Sequence, residues 1–211
     1  MIRAIGIGAG GHMMVLLDCL ADSADVEIVG VLDPQIPPGS SIGGVKVLGG
    51  DDELLQLRSG GVTHGWVGVG GLRDRSLRQR LFVRLTEYGF EPLTIVHARA
   101  IVSARARLSR GAQVMPGAIV NAGTQAGENC IVNSGAVVEH DCVLGDHSHI
   151  APGAVLAGGV MIGALTHIGA AAVVREGIRI GREVVIGAGS VVTRDIADGS
   201  TAWGVPARVR S

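Results

Sequence analysis

The sequence is poor in aromatic residues: Phe, Trp and Tyr together make up 2% of its 211 residues. Ordinary globular cores use rings as filler, so an interior of that kind is excluded. Cysteine is also scarce. Cys19, Cys130 and Cys142 are odd in number and show no CxxC spacing, which argues against a disulfide framework or a Cys-based zinc site and for a reducing compartment. Neither sign of charge is in excess. With a net charge of −1, bulk electrostatics draws the chain to neither nucleic acid nor an anionic membrane. Long apolar runs are missing too. The start of the chain has no basic stretch ahead of an apolar one, and Asp18 interrupts the segment from His12 to Leu20. A signal peptide and a membrane span are therefore not expected, and a cytoplasmic location is.

What the sequence does have is 47% hydrophobic residues and 34 glycines, so the core must be built from Val, Ile, Leu, Ala and Gly. That predicts a narrow, repetitive interior. From Val102 to Val192 an aliphatic residue recurs every six positions without a slip, and fifteen of the sixteen are Leu, Ile or Val, the exception being Ala126. Four residues after each comes a small or β-branched residue, among them Ala106, Ala112, Ala118, Thr124, Cys130, Ala136, Cys142, Ser148 and Ala154. Gly, Asn or Asp often falls between them, as at Gly111, Gly123, Asn129, Asp141 and Gly159, where a tight corner needs positive φ. Neither a 3.6-residue period nor strict alternation fits this length. A six-residue unit reads as one short strand plus one corner, three of which close a triangular coil of a parallel β-helix. Cys130 and Cys142 fall at the small inward position and read as core filler.

Residues 1–95 read differently and form a separate domain from residues 96–211. A short apolar strand runs from Arg3 to Gly8, followed by Gly6-Ile7-Gly8-Ala9-Gly10-Gly11-His12, a helical stretch Met13 to Leu20, and a strand Val26 to Leu32 ending at Asp33. This is the order of a Rossmann-like βαβ unit with a glycine turn that lets backbone N–H groups approach a phosphate. Asp51 and Asp52 are expected to cap a helix from Glu53 to Leu57, and Ser76 to Tyr88 is amphipathic, with Leu77, Leu81 and Leu85 on one face. About 95 residues supply only one mononucleotide-binding half, and no hydride-transfer apparatus follows. The nucleotide part of an activated sugar is the favoured ligand, against a tight turn that binds nothing.

Polar residues gather in the middle coils: Asn133, Glu139, His140, Asp141, Asp146, His147, His149 and His167. Residues 18 apart stack on successive coils, which puts His149 beneath His167 and His140 beneath Gly158. A histidine base near its working pKa beside a carboxylate suits acyl transfer from a thioester to an amine or hydroxyl. A backbone N–H near Gly158 is the candidate oxyanion donor. His147 and His167 are read either as groove-lining or as merely solvated. The stacked pair His149 and His167 also supplies two of the three ligands a catalytic zinc would need.

Asn133 to Cys142, then Gly145-Asp146-His147-Ser148-His149, with Gly8-Ala9-Gly10-Gly11-His12 ahead and Gly204-Val205-Pro206-Ala207-Arg208 behind, resemble the hexapeptide-repeat sugar acyltransferases. The likeness is to the subgroup of sialic-acid O-acetyltransferases and UDP-4-amino-sugar N-acetyltransferases, and it covers nearly the whole chain. It implies an all-β left-handed parallel β-helix behind the α/β domain, a homotrimer, and acetyl-CoA bound between neighbouring helices as co-substrate, with no metal. By the same resemblance His140 is the general base and Asp141 the acid that raises its basicity. Gly10, Gly11, His12, Asp33 and Gly70 hold the nucleotide-sugar, and Asn133, a polar residue expected beside the catalytic histidine, is counted with them as substrate-binding. His149, Gly158, His167, Ala170, Ala188 and Arg208 are the residues expected to face acetyl-CoA. Two positions depart from the pattern. Asp141 stands where a longer Glu also occurs, and Asp33-Pro34 stands where two acids often do. The expectation is acetyl-CoA-dependent N-acetylation of a nucleotide-linked 4-amino sugar. The alternatives are O-acetylation of a sugar of the sialic-acid type, a zinc hydratase like the γ-type carbonic anhydrases, and a non-catalytic binding solenoid.

Overall fold

The computed structural model describes residues 1–21, 23–70 and 75–210. The chain divides into two compact units, Met1–Ile95 and Val96–Ser211. In the first, β1 (Ile2–Ile7) leads through a glycine turn into α1 (Gly11–Leu20), then β2 (Val26–Leu32), β3 (Ser41–Ile42) and β4 (Val45–Gly49). A 3-10 turn (Asp51–Glu53) opens α2 (Leu54–Ser59), followed by β5 (His64–Val67), α3 (Arg75–Glu87) and β6 (Glu91–Pro92). Among the described residues the sheet order is β3-β4-β2-β1-β5-β6, parallel except for the β3–β4 hairpin. The chain leaves β1 toward β2 on one side, while β5 lies on the other, so the Gly8–His12 turn sits at a topological switch point, where open α/β sheets bind ligands.

Leu81 and Leu85 of α3 are buried with Ile5, Ile7 and Leu32, and Leu77 packs at the edge of that cluster. The amphipathic reading of this stretch therefore holds. The expected acidic cap does not. The residue ahead of the 3-10 turn is Gly50, with no side-chain cap bond, and Asp51 pairs instead with Arg84 of α3.

The second unit is a parallel β-helix. From Ile101–Val102 to Val191–Val192 a two-residue strand recurs every six residues. Up to Val173–Val174 each strand pairs in parallel with the one 18 residues on, as Ile131↔His149 and Val137↔Val155. The second residue of each strand points inward. Val114, Val120, Val132, Val138, Ile150, Leu156, Ile168, Val174, Ile186 and Val192 are all buried at 1% exposure or less. The small inward position holds as well, with Cys130 and Cys142 buried in the same cluster. All three cysteines are free thiols, and burial pushes the Cys142 thiol up, consistent with filler.

Every corner glycine, Asn and Asp named above has positive φ. So do His147, Leu165, Ala171 and Glu183, of which only histidine is a residue type enriched in that conformation. The hexad ends at Val192. Ile180 then bridges to Ile196 and Ile186 pairs with Ala202, a step two residues shorter. A final hairpin, Thr201–Gly204 with Ala207–Arg210, closes the unit. Among the described residues no helix is long and apolar enough to cross a membrane.

Candidate active site

Three strands in each coil leave three corners, and the corner after Val137–Val138 carries Glu139, His140 and Asp141. The imidazole Nδ1–H of His140 donates to Asp141 Oδ2 at 2.9 Å. A carboxylate only accepts, so this bond places the proton on Nδ1 and leaves the Nε2 lone pair available. The bond to Asp141 is the main reason the His140 pKa is raised above the ordinary 6.5. The charges of Asp141 and Glu139 add to it, and desolvation works the other way. Asp141 spans the gap in spite of being shorter than Glu, helped by its positive φ of 59°.

Two glycines make room for the pair. A Cβ on Gly158 would lie 2.6 Å from His140 Nε2, and one on Gly123 would collide with the Asp141 carboxylate. The stacking of His140 under Gly158 is therefore as expected, and Gly159 N–H donates to His140 O at 2.9 Å. Gly158 N–H makes no hydrogen bond among the described residues, like the corner amides of His140 and Glu176 in the same column. Glu139 is held in turn: Asn121 Nδ2 donates to its Oε2 at 3.0 Å. Both side chains of the dyad are open in the single chain, at 65% and 73% exposure.

Asn133, His149 and His167 form a second group on a different face, so within the chain Asn133 does not lie beside His140 as expected, because it precedes the Val137–Val138 strand and His140 follows it. His149↔His167 is a strand pair, and the rings meet edge to face at 4.8 Å between centroids. Asn133 Nδ2 donates to His149 Nε2 at 3.0 Å, while Asn133 Oδ1 accepts from Ser134 N–H. His167 is 6% exposed, so it is a buried wall of this group and not a solvated residue. His147 sits at another corner, bonded to Asn129 at 3.0 Å. Ala170 and Ala188 stack on successive coils at an exposed corner, where Gly189 N–H donates to Ala170 O at 2.8 Å. Arg208 stands in the closing hairpin, opposite Trp203, with one Nη1 bond to Ala207 O. Among the described residues no three His, Cys, Asp or Glu side chains group closely enough to hold a metal ion.

In the first unit, Gly10 caps α1 and Gly11 opens it, and a Cβ on either would meet nothing within 4 Å. Gly8 is the constrained member of the turn, with φ +89° and Val69 Cγ2 2.6 Å from where its Cβ would lie. Gly70 lies against the His12 ring, its Cβ position 2.9 Å from Cγ. Asp33 uses both oxygens on the backbone, accepting from Ala9 N–H at 2.8 Å and Gln35 N–H at 2.9 Å. It thus braces the glycine turn as well as lining a cleft of about 320 Å³ with Ile7, Gly8, Gln35, Asp51, Arg80 and Arg84. Gly10, Gly11, His12 and Gly70 lie outside that lining. Arg80 and Arg84 were missed in the sequence, although they flank the Leu77–Leu81–Leu85 stripe at helical spacing.

Sequence profiles match in both units: the PglD N-terminal domain over residues 4–85, and the bacterial transferase hexapeptide (six repeats) over residues 127–158. The class is thus a hexapeptide-repeat transferase with a PglD-type front domain. Solved structures extend the likeness to the full chain. PerB from Caulobacter crescentus, in complex with CoA and GDP-perosamine, is 38% identical over 99% of this chain and 97% of its own, with a TM-score of 0.91. The acetyltransferase domain of PglB from Neisseria gonorrhoeae, in complex with acetyl coenzyme A, is 35% identical over 99% of this chain and 98% of its own, with a TM-score of 0.92. WeeI from Acinetobacter baumannii shares the fold at 23% identity, covering 100% of both chains with a TM-score of 0.82. A search of curated protein sequences returned no match. The chain belongs to the hexapeptide-repeat sugar acyltransferases, and it is an acyltransferase.

Proposed function

We propose that the chain moves the acetyl group of acetyl-CoA onto the 4-amino group of a nucleotide-linked sugar, with His140 as general base. The observation that carries this reading is the dyad. An imidazole whose Nδ1–H is held by Asp141 presents its Nε2 lone pair beside a side-chain-free Gly158. The whole-chain similarity to an enzyme crystallised with CoA and GDP-perosamine supports the choice of substrates.

His140 Nε2 takes a proton from the attacking amine as the N–C bond forms at the thioester carbonyl. Asp141 stabilises the imidazolium that results and keeps the ring oriented. Gly158 N–H is the donor assigned to the developing oxyanion. As the C–S bond breaks, the proton passes from His140 to the departing CoA thiolate. No acyl-enzyme is needed, and Cys142 is buried away from this corner.

Gly10, Gly11 and His12, at the open N-terminus of α1, together with Asp33 and Gly70, are assigned to the nucleotide-sugar. His149, His167, Ala170, Ala188 and Arg208 are assigned to acetyl-CoA, and Asn133, expected among the substrate contacts, is moved to this set because its amide is held on His149. Within the β-helix, the His140–Asp141 dyad and the acetyl-CoA set lie on either side of one face whose outward residues are all aliphatic: Ile101, Ile119, Val137, Val155, Val173 and Val191. Burying that face in a homotrimer brings the dyad of one chain toward the Asn133 edge of the next, and it closes a base that is open in the single chain. The free thiols fit a cytoplasmic setting.

The test is thiol release from acetyl-CoA with GDP-, UDP- and dTDP-linked 4-amino sugars, alongside the mass of the assembly and its metal content. Turnover of an amino sugar by a metal-free trimer is expected. Turnover of hydroxyl acceptors alone would favour O-acetylation. Stoichiometric zinc with no acetyl transfer would favour a hydratase.

A further inference from the structure

Arg78 belongs to none of the sets above, yet α3 turns it inward, and it is 6% exposed. A guanidinium is held inside only where acceptors meet its N–H groups. The sheet supplies them. β6 is two residues long and pairs with His64 and Gly65 of β5. Just past it, Leu93 N–H donates to Gly65 O at 2.8 Å. Carbonyls two residues apart along a strand point the same way, so Val67 O and Val69 O also face the β6 side, past the residues that β6 pairs with. Arg78 meets them there, and its Nη1 donates to both at 2.9 Å.

On its other edge the same segment, Val67 to Gly70, lies against the glycine turn. Gly68 N–H donates to Ile7 O at 2.7 Å. The approach leaves no room for side chains: a Cβ on Gly68 would lie 2.8 Å from Gly8 O, and one on Gly70 2.9 Å from the His12 ring. Val69 Cγ2 closes on Gly8 in the same way. The segment is therefore one wall of the turn that carries Gly10, Gly11 and His12. A strand end that runs past its neighbour needs another anchor to keep so close a distance.

We propose that Arg78 is a positioning residue for the nucleotide-sugar, pinning the Val67–Gly70 wall so that His12 and Gly70 stand where that substrate needs them. This rests on the nucleotide-sugar assignment above. Arg78 acts through the wall and touches no substrate.

The experiment measures KM for each substrate, Kd for GDP, UDP and dTDP by calorimetry, and thermal unfolding, in full-length wild type, Arg78→Met and Arg78→Lys. The methionine keeps the packed stem and loses the donors, while the lysine keeps charge and donors. Arg78→Met is expected to raise KM for the nucleotide-sugar, and Kd for the matching nucleotide, about 10-fold, with KM for acetyl-CoA unmoved. Arg78→Lys should recover much of that loss. A merely structural role would lower the unfolding temperature and the yield of active chain without moving either KM. The proposal is overturned if Arg78→Met binds the nucleotide as wild type does, if KM for acetyl-CoA rises equally, or if lysine is no better than methionine. Should Arg78→Met fail to fold, Arg78→Lys decides: a smaller rise in KM for the nucleotide-sugar supports the proposal, and no rise overturns it. Wild type that binds a nucleotide but transfers no acetyl group would sink the acetyl-transfer reading instead, and the nucleotide affinities would still decide on Arg78.

Discussion

The corner that holds the dyad is one of a stack, and its neighbours share its backbone but not its chemistry. Asn121-Ala122-Gly123 lies in the coil before it, Glu139-His140-Asp141 in the middle, and Ala157-Gly158-Gly159 in the coil after. The third residue of each has φ of 77°, 59° and 68°. Repetition supplies an identical turn three times; only one carries a base and an acid. The flanking coils contribute by what they leave out, since Gly123 clears the Asp141 carboxylate and Gly158 clears the imidazole. A repeat protein thus builds a one-off site by breaking the repeat in one coil and emptying it in the two beside it.

Removing the base should have the largest effect. His140→Asn, which keeps polarity at the corner, is expected to lower kcat by about 100-fold or more, read by thiol release at saturating substrates. Filling the empty neighbour comes next. Gly158→Val should push the ring aside and cost about 10- to 100-fold in kcat/KM, whereas the same change at Gly135, where a Cβ would meet nothing within 4 Å, should act through folding stability alone because φ there is 66°. If both changes leave turnover alike, the contrast between the corners is wrong.

Asp141→Asn tests the acid. Neutral imidazole is the active form, and the Asp141 bond raises the His140 pKa, so wild-type activity should fall as pH drops through a value above 6.5. In the variant this limb should move to lower pH, with kcat down about 10-fold at neutral pH. A limb that does not move would assign it to another group. The smallest effect sharpens the comparison inside the coil. Thr166 and Ser148 occupy the same inward position, but Thr166 Oγ1 donates to Gly181 O at 2.7 Å and accepts from Val184 N–H, while buried Ser148 Oγ has no partner. Thermal unfolding of Thr166→Val should show a loss of about 1–3 kcal/mol, and that of Ser148→Ala a change near zero or a gain of about 1 kcal/mol.

Much of the second unit was legible because its determinants are local. Side-chain size and β-branching every sixth residue mark the inward set, and Gly, Asn and Asp mark corners of positive φ. Where the corner falls on Leu165 or Ala171, residue preference is silent, and the ladder of neighbouring coils imposes the conformation against a cost of roughly 1–2 kcal/mol. The end of the repeat was less legible. Ile196 replaces the expected hexad position because Asp195 and Asp198 accept from Arg179 N–H and Arg182 N–H and tighten the last coil. In the first unit the strand–turn–helix order could be read, but not that Asp33 spends both oxygens on backbone amides or that Asp51 turns to Arg84.

The hexad period by itself determined a parallel β-helix, its inward residues and the adjacency of His140 to Asp141, since each depends on spacing within a few residues. It also stacked His140 under Gly158 once three hexads made a coil. Only the tertiary structure decided that Asn133 reaches His149 and that Trp203 stands at the head of the column that rises from Asn133 through Gly187. Those contacts join residues on different coils, the last across the shortened final step, and their geometry follows from how strands register and side chains turn, which no local preference encodes.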